Sequence, residues 1–184
     1  MKKIFLTIFF LYSFLSYSQI TKSFGGYVSA ELAAIEDGFD QPVAGMGLTF
    51  ELKGKKHSGF ETGLLYRSIN ISGSGFLNGQ NIDYVVVNSF LSIPLMYKFY
   101  SNIVNISLGC TMDFYVRSRI KGPSKDLINL VTPSTTASPG FIIKLSKSIS
   151  LSDKIILEPD VHFAPNLGYQ MAYIGVGLAI KSNF

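Results

Sequence analysis

Apolar residues fall on alternate positions along most of this chain, in blocks separated by clusters of Gly, Ser, Asn and Asp. The clearest block is Val43–Lys53. Ala44, Met46, Leu48, Phe50 and Leu52 take one parity, and Gly45, Gly47, Thr49, Glu51 and Lys53 take the other. Successive strand side chains point to opposite faces, so this block predicts a strand with one greasy face and one small or polar face. The stretch "YIGVGLAIKSNF" repeats the pattern: Ile174, Val176, Leu178 and Ile180 alternate with Gly175, Gly177, Ala179 and Lys181. No helical period competes. The blocks predict eight strands: Phe24–Ala34, Val43–Lys53, Phe60–Ile71, Tyr84–Phe99, Ile103–Arg117, Pro139–Ser148, Lys154–Phe163 and Met171–Phe184.

Such alternation suits two architectures. A soluble lipocalin-like barrel turns its apolar face inward; an outer-membrane barrel turns it to lipid. Charge placement favours the second. Glu31, Glu51, Lys53, Glu61, Arg67, Lys98, Asp113, Arg117, Lys144, Glu158, Asp160 and Lys181 all read onto the polar face. A Lys or Arg facing lipid at mid-membrane costs about 2–4 kcal/mol, which accounts for that segregation. Loop lengths agree. Short links such as "GKKHSG" and "YSN" follow even strands. Longer ones follow odd strands, including "SGSGFLNGQNID" and a run of about 21 residues after Arg117, as with periplasmic turns and external loops. Outward aromatics form two bands: Phe24, Phe50, Phe60, Phe99 and Phe184 at one end, Tyr66, Phe114, Phe141 and Phe163 at the other. The expected fold is therefore all-β, an eight-stranded antiparallel up-and-down transmembrane β-barrel.

The start of the chain reads as a secretory signal peptide. Lys2 and Lys3 precede an apolar run, Ile4 to Leu15, and Ser16-Tyr17-Ser18 offers small residues for cleavage. Residues 1–18 are assigned to this leader and 19–184 to the barrel domain. The chain carries 16 Lys and Arg against 12 Asp and Glu. Removing Lys2 and Lys3 halves that excess, and no basic run suggests nucleic acid. The single cysteine, Cys110, excludes an internal disulfide and is expected to face lipid.

The fourth strand reads "FLSIPLMYKFY". It resembles the small outer-membrane β-barrel family of Bacteroidetes often called PorT-like, through Leu91, Ile93, Pro94, Lys98 and Tyr100. Ser92 stands where an acidic residue is common, and Gly109-Cys110 where Gly-Pro is often seen. "GVGLAI" is similar to that family's closing strand, and Phe184 to the terminal aromatic by which such barrels are recognised for insertion. The resemblance implies an eight-stranded barrel and no single function. Pro94 gives no ladder hydrogen bond, so a bulge or a broken ladder is expected there.

Candidate chemistry is sparse. Asp160 and His162 share the polar face, as an acid–base pair of a hydrolase would, but no serine motif joins them, and a polar structural pair is the simpler reading. His57 lies in a turn beside Lys55 and Lys56. No His/Cys set has metal-ligand spacing, and Gly73–Gly75 reads as a flexible loop, not a phosphate cradle. Six acids and six bases on the polar face suggest an interior plugged by ion pairs. Leu127, Ile128, Leu130 and Val131 form an apolar group in the longest loop, able to meet a partner or to cover the mouth. These features point to a non-enzymatic outer-membrane protein without cofactor, exported through a cleaved signal peptide. Its role is structural or interaction-based, in a secretion or envelope setting. Its partners are the lipid bilayer and a protein met through external loops; the oligomeric state is left open. The alternatives are a narrow channel for small solutes and a rim-located lipid-modifying enzyme.

Overall fold

The alternating blocks become strands that run on further than their apolar residues. A computed structural model describes residues 20–35, 38–39, 42–54, 57–77, 80–121, 136–169 and 171–184. The strands are β1 (Thr21–Ile35), β2 (Gly38–Phe39), β3 (Val43–Lys53), β4 (Ser58–Leu77), β5 (Gln80–Phe99), β6 (Asn105–Lys121), β7 (Ala137–Ser146), β8 (Ile149–Ser150), β9 (Ile155–Asn166) and β10 (Met171–Asn183). β2 and β8 are two-residue pieces that pair with β1 and β9. The eight long strands each pair antiparallel with their neighbours in sequence, and β10 also pairs with β1, so the sheet closes on itself. The predicted signal peptide and the apolar group Leu127–Val131 lie outside the described residues.

Closure holds the last strand down to its final residues. The Asn183 N–H donates to the Lys154 carbonyl at 2.8 Å, and the Phe184 N–H to the Lys22 carbonyl at 3.0 Å. The face that β10 leaves outside is the apolar one: Ile174, Val176, Leu178 and Ile180 are exposed while Tyr173, Gly175, Ala179 and Lys181 are buried. The same division runs round the ring. Val28, Met46, Leu64, Leu95, Leu108, Ile143 and Val161 are exposed, and Glu31, Glu51, Glu61, Lys98, Asp113, Lys144 and Asp160 are buried. A soluble barrel has the reverse arrangement.

Three expectations are corrected. The "SGSGFLNGQNID" segment is mostly ladder: Gly73 pairs with Tyr84, Gly75 with Ile82 and Leu77 with Gln80. In the sequence, two residues, Asn78 and Gly79, lie between these strand ends and are outside the described residues; Asn-Gly between alternating runs is a strong hairpin signal. Gly73–Gly75 is thus part of a strand rather than a flexible loop. Second, Arg117 is not on the inner face. The β5–β6 register shifts, with Phe90 opposite Tyr115 but Ser89 opposite Arg117, so Val116 is an extra residue in a β-bulge. Beyond it the parity of β6 reverses, and Arg117 is exposed on the outer wall. Third, Lys53 keeps inner parity but lies exposed at the mouth, its Nζ 4.6 Å from the centre of the Tyr100 ring.

Pro94 breaks the ladder on one side only. It stays opposite Thr111 of β6, while pairing with β4 lapses between Thr62–Leu95 and Leu65–Ser92. The Thr62 hydroxyl donates to the Pro94 carbonyl at 2.7 Å and re-bridges the two strands. Val28 sits mid-way along the outer face of β1, between Phe24 and Leu32, and is 56% exposed. Val28→Arg is expected to lower folding stability in a bilayer by about 2–4 kcal/mol, while Val28→Leu is near neutral. Urea titrations of the two variants in lipid vesicles check this.

Candidate functional site

The inward faces of the eight strands meet in a lumen that side chains fill. Near the end where β1 starts and β10 finishes, the carboxylate oxygens of Glu51, Glu61 and Glu158 come within 4.8 Å of one another. That spacing could hold a cation, and the ammonium of Lys98 already occupies it. Lys98 Nζ lies 2.8 Å from Glu51 Oε2, 3.2 Å from Glu61 Oε2 and 2.6 Å from Glu158 Oε1. Lys181 Nζ adds contacts of 2.6 Å to Glu51 and 3.2 Å to Glu158, and Lys144 pairs with Glu61. The Tyr100 hydroxyl donates to Glu51 Oε1 at 2.5 Å. Three acids and three lysines from six strands thus form one compensated cluster.

A second polar group adjoins it. His162 Nδ1 lies 2.9 Å from Asp160 Oδ1, and His162 Nε2 lies 3.3 Å from Glu31 Oε1. The Tyr27 hydroxyl donates to Asp160 Oδ1 at 3.2 Å, and Ser29 Oγ donates to Glu31 Oε1 at 2.8 Å. The guanidinium of Arg67 stacks on the Tyr173 ring, 4.6 Å from its centre, with Nε 3.8 Å from Glu31 Oε2. Asp160 and His162 are therefore together, as their spacing implied, but buried inside the wall rather than placed at a rim. Each imidazole nitrogen faces a carboxylate: Nδ1 is hydrogen-bonded to Asp160, and Nε2 lies beside Glu31 without a hydrogen bond. Asp113 belongs to a third group, accepting from Ser92 Oγ and, at 2.6 Å, from Asn166 Nδ2.

The glycines of "YIGVGLAI" make room for these groups. A Cβ on Gly177 would strike the Tyr27 hydroxyl and lie 2.7 Å from Asp160 Oδ2; one on Gly175 would lie 2.8 Å from His162 Nε2.

Sequence reasoning missed an apolar layer above the charges. Ile69, Phe90, Met171 and Tyr173 pack together inside the lumen with Ala33 and Ala164, and Tyr115 and Tyr169 lean on them. The Phe90 ring centre is 5.0 Å from that of Tyr169 and 6.1 Å from that of Tyr115. Apolar residues at the inward positions Ile69, Val86 and Phe90 were the available signal. The buried charge is also uneven. Glu31, Glu51, Glu61, Asp113, Glu158 and Asp160 face Arg67, Lys98, Lys144 and Lys181, because Arg117 and Lys53 are not among the buried bases. His57 is exposed in its turn, and Cys110 is exposed on the outer wall. A cavity beside Gly63 and Pro94, reaching Glu61, Lys144 and His162, measures about 20 Å³. That is room for a single water.

A closed ring of eight antiparallel strands with an apolar wall and a filled polar lumen defines the class: a small transmembrane-type β-barrel. No family model and no curated protein sequence matches the chain. Solved structures do. Neisserial surface protein A superposes with a TM-score of 0.55 at 10% identity, covering 89% of this chain and 97% of that one. Ail, the attachment invasion locus protein of Yersinia pestis, in complex with the heparin analogue sucrose octasulfate, gives 0.54 at 10% identity, covering 90% and 99%. The outer membrane protein OprG from Pseudomonas aeruginosa gives 0.52 at 14% identity, covering 90% and 95%. The fold of this chain is that of the small outer-membrane barrels.

Lys98 is the keystone of the carboxylate cluster. Lys98→Met leaves three acids around an apolar side chain, and breaking such a buried group is expected to cost about 3–5 kcal/mol. Lys98→Met combined with Glu51→Gln is expected to recover part of that loss, measured by the shift in the unfolding midpoint of the barrel in lipid vesicles.

Proposed function

We propose that this chain is an outer-membrane protein of a Gram-negative bacterium, exported through the leader at residues 1–18, and a member of the PorT-like family that its fourth strand resembles. Its role is structural or interaction-based: a non-enzymatic scaffold that holds its loops outside the cell, in a secretion or envelope assembly. The apolar wall supports the location, because only a closed sheet satisfies its backbone where lipid supplies no hydrogen bonds. The observation that carries the role is the filled lumen. Packed polar groups and an apolar layer lie across it, and the cavity beside Pro94 is water-sized. The complex of Ail with the heparin analogue sucrose octasulfate supports an interaction role for this chain. His162 and Asp160 are nine-tenths buried or more, locked among Tyr27, Glu31 and each other, which argues against hydrolysis at that pair.

The purified protein in planar bilayers is expected to show no steady single-channel current. A reproducible ohmic step would overturn the scaffold reading in favour of a narrow channel. Incubation with phospholipid or peptide substrates is expected to release no product. A release that His162→Ala abolishes would overturn the non-enzymatic reading in favour of a lipid-modifying or peptide-cleaving enzyme.

A further inference from the structure

The bulge at Val116 changes what the outer wall presents near the loop end of the barrel. Up to Phe114, the even-numbered residues of β6 face outward and are apolar; beyond the bulge, Arg117 and Arg119 are the exposed ones. The paired strands change character in step. The row through Phe114 continues to Leu91 and Tyr66, whereas the row through Arg117 continues to Ser89 and Ser68, and Arg119 lies opposite Val87, itself opposite Asn70. The wall thus gains its first two arginines within one pleat of Phe114, although Val116 and Val87 beside them are still apolar and Ser89 is buried.

We propose that this patch binds the phosphate groups of a lipid headgroup in the leaflet that the loop end faces. This rests on the reading that the barrel spans a bilayer. The guanidinium of Arg117 donates to the Tyr66 hydroxyl at 3.5 Å, which ties it to the polar tip of an aromatic side chain at the apolar boundary. Arg119 makes no hydrogen bond or ion pair with any described residue. Among the residues whose side chains are described, Glu61 of the nearby β4 and Asp113 of β6 itself point into the lumen and so do not compete with the pair. Residues two apart on one strand face stand roughly 7 Å apart. Each guanidinium is a planar fork suited to two phosphate oxygens, so the pair spans one or two phosphate groups. Headgroup depth is also where an outward arginine is tolerated. The cost of about 2–4 kcal/mol at the midplane falls to about 0–1 kcal/mol near the interface.

The test uses phosphatidylcholine nanodiscs doped with bisphosphorylated lipid A or with the same lipid stripped of its phosphates. Lipid retained by the extracted protein is quantified by mass spectrometry. The wild-type protein is expected to enrich the phosphorylated form about tenfold over the stripped form, the scale of one or two charge-assisted hydrogen bonds. Arg117→Gln/Arg119→Gln is expected to bring the two forms to parity while the folded-barrel gel shift is kept; Arg117→Lys/Arg119→Lys is expected to retain part of the preference. Equal retention of both lipids by the wild type, or an unchanged preference in the glutamine variant, overturns the proposal. Loss of the bound lipid to excess inorganic phosphate reassigns the patch to a free anion and also overturns it. Vesicle flotation reads the bilayer assignment separately. A protein that does not float refutes that reading and this one together, whereas a floating protein without lipid preference refutes only this one.

Discussion

The pairing of β10 with β1 is the contact on which the rest depends. An open sheet edge in hydrocarbon leaves each N–H and C=O without a partner at several kcal/mol apiece, and closure removes the edge. Here the ladder from Ser23–Asn183 to Ala34–Ala172 closes the ring, and the N–H groups of Asn183 and Phe184 are satisfied by the neighbouring strand end and turn. Closure with eight strands leaves a lumen only wide enough for side chains. Every inward residue must then fit its neighbours across the barrel. Gly175 and Gly177 are bare for that reason, since Tyr27, Glu31 and His162 fill the space their side chains would need.

The charge cluster round Lys98 does not have to be explained as a source of stability. Buried ion pairs often gain little over apolar residues of the same volume. What charge on one parity does is forbid the other parity. A one-residue slip of a strand carries its whole inner set to the outer wall. For β3 that slip would put Glu51 into lipid, and for β9 it would put Glu158 and Asp160 there together. The segregated charges thus specify register, and pairing them across strands makes the correct register tolerable. Lys98 touches acids of β3, β4 and β9 at once, so its position is consistent with only one arrangement of those three strands.

This logic also explains what could be read from residues alone. Strand β3 was legible to the residue, because its two faces are chemically distinct over its whole length. So were the inward Glu31, Glu51, Glu61, Lys98, Lys144 and Lys181, and the shared face of Asp160 and His162. Their partners were not legible: which acid meets Lys98, or that Tyr27 and Glu31 flank His162, depends on cross-strand registers that no single strand encodes. The reading also failed where alternation was weak or broken. Ser72 to Gly75 carries no apolar signal, so a ladder passed for a loop, although the Asn78-Gly79 pair was available as a hairpin signal. Ile69 and Phe90 put apolar side chains on the inner parity and so hid the apolar layer. Val116 adds one residue to β6, and the parity assumed for Arg117 was wrong by that one residue.

That failure is informative, because the place of the bulge is constrained by both sides of the wall. On the inner side, the shift leaves Tyr115 against Phe90 and brings Ser118 Oγ to Asn88 Oδ1, so the lumen stays packed and hydrogen-bonded through the irregularity. On the outer side, the shift exposes Arg117 and Arg119. Placed a few residues earlier, level with Met112, the same insertion would have turned Asp113 outward into the apolar belt and unpaired it from Ser92 and Asn166. Placed where it is, it acts one pleat beyond Phe114 and Tyr66, where the wall ceases to be apolar. The bulge therefore marks the depth at which an outward charge becomes acceptable, and the position of one unpaired valine sets the boundary of the greasy belt on this side of the barrel.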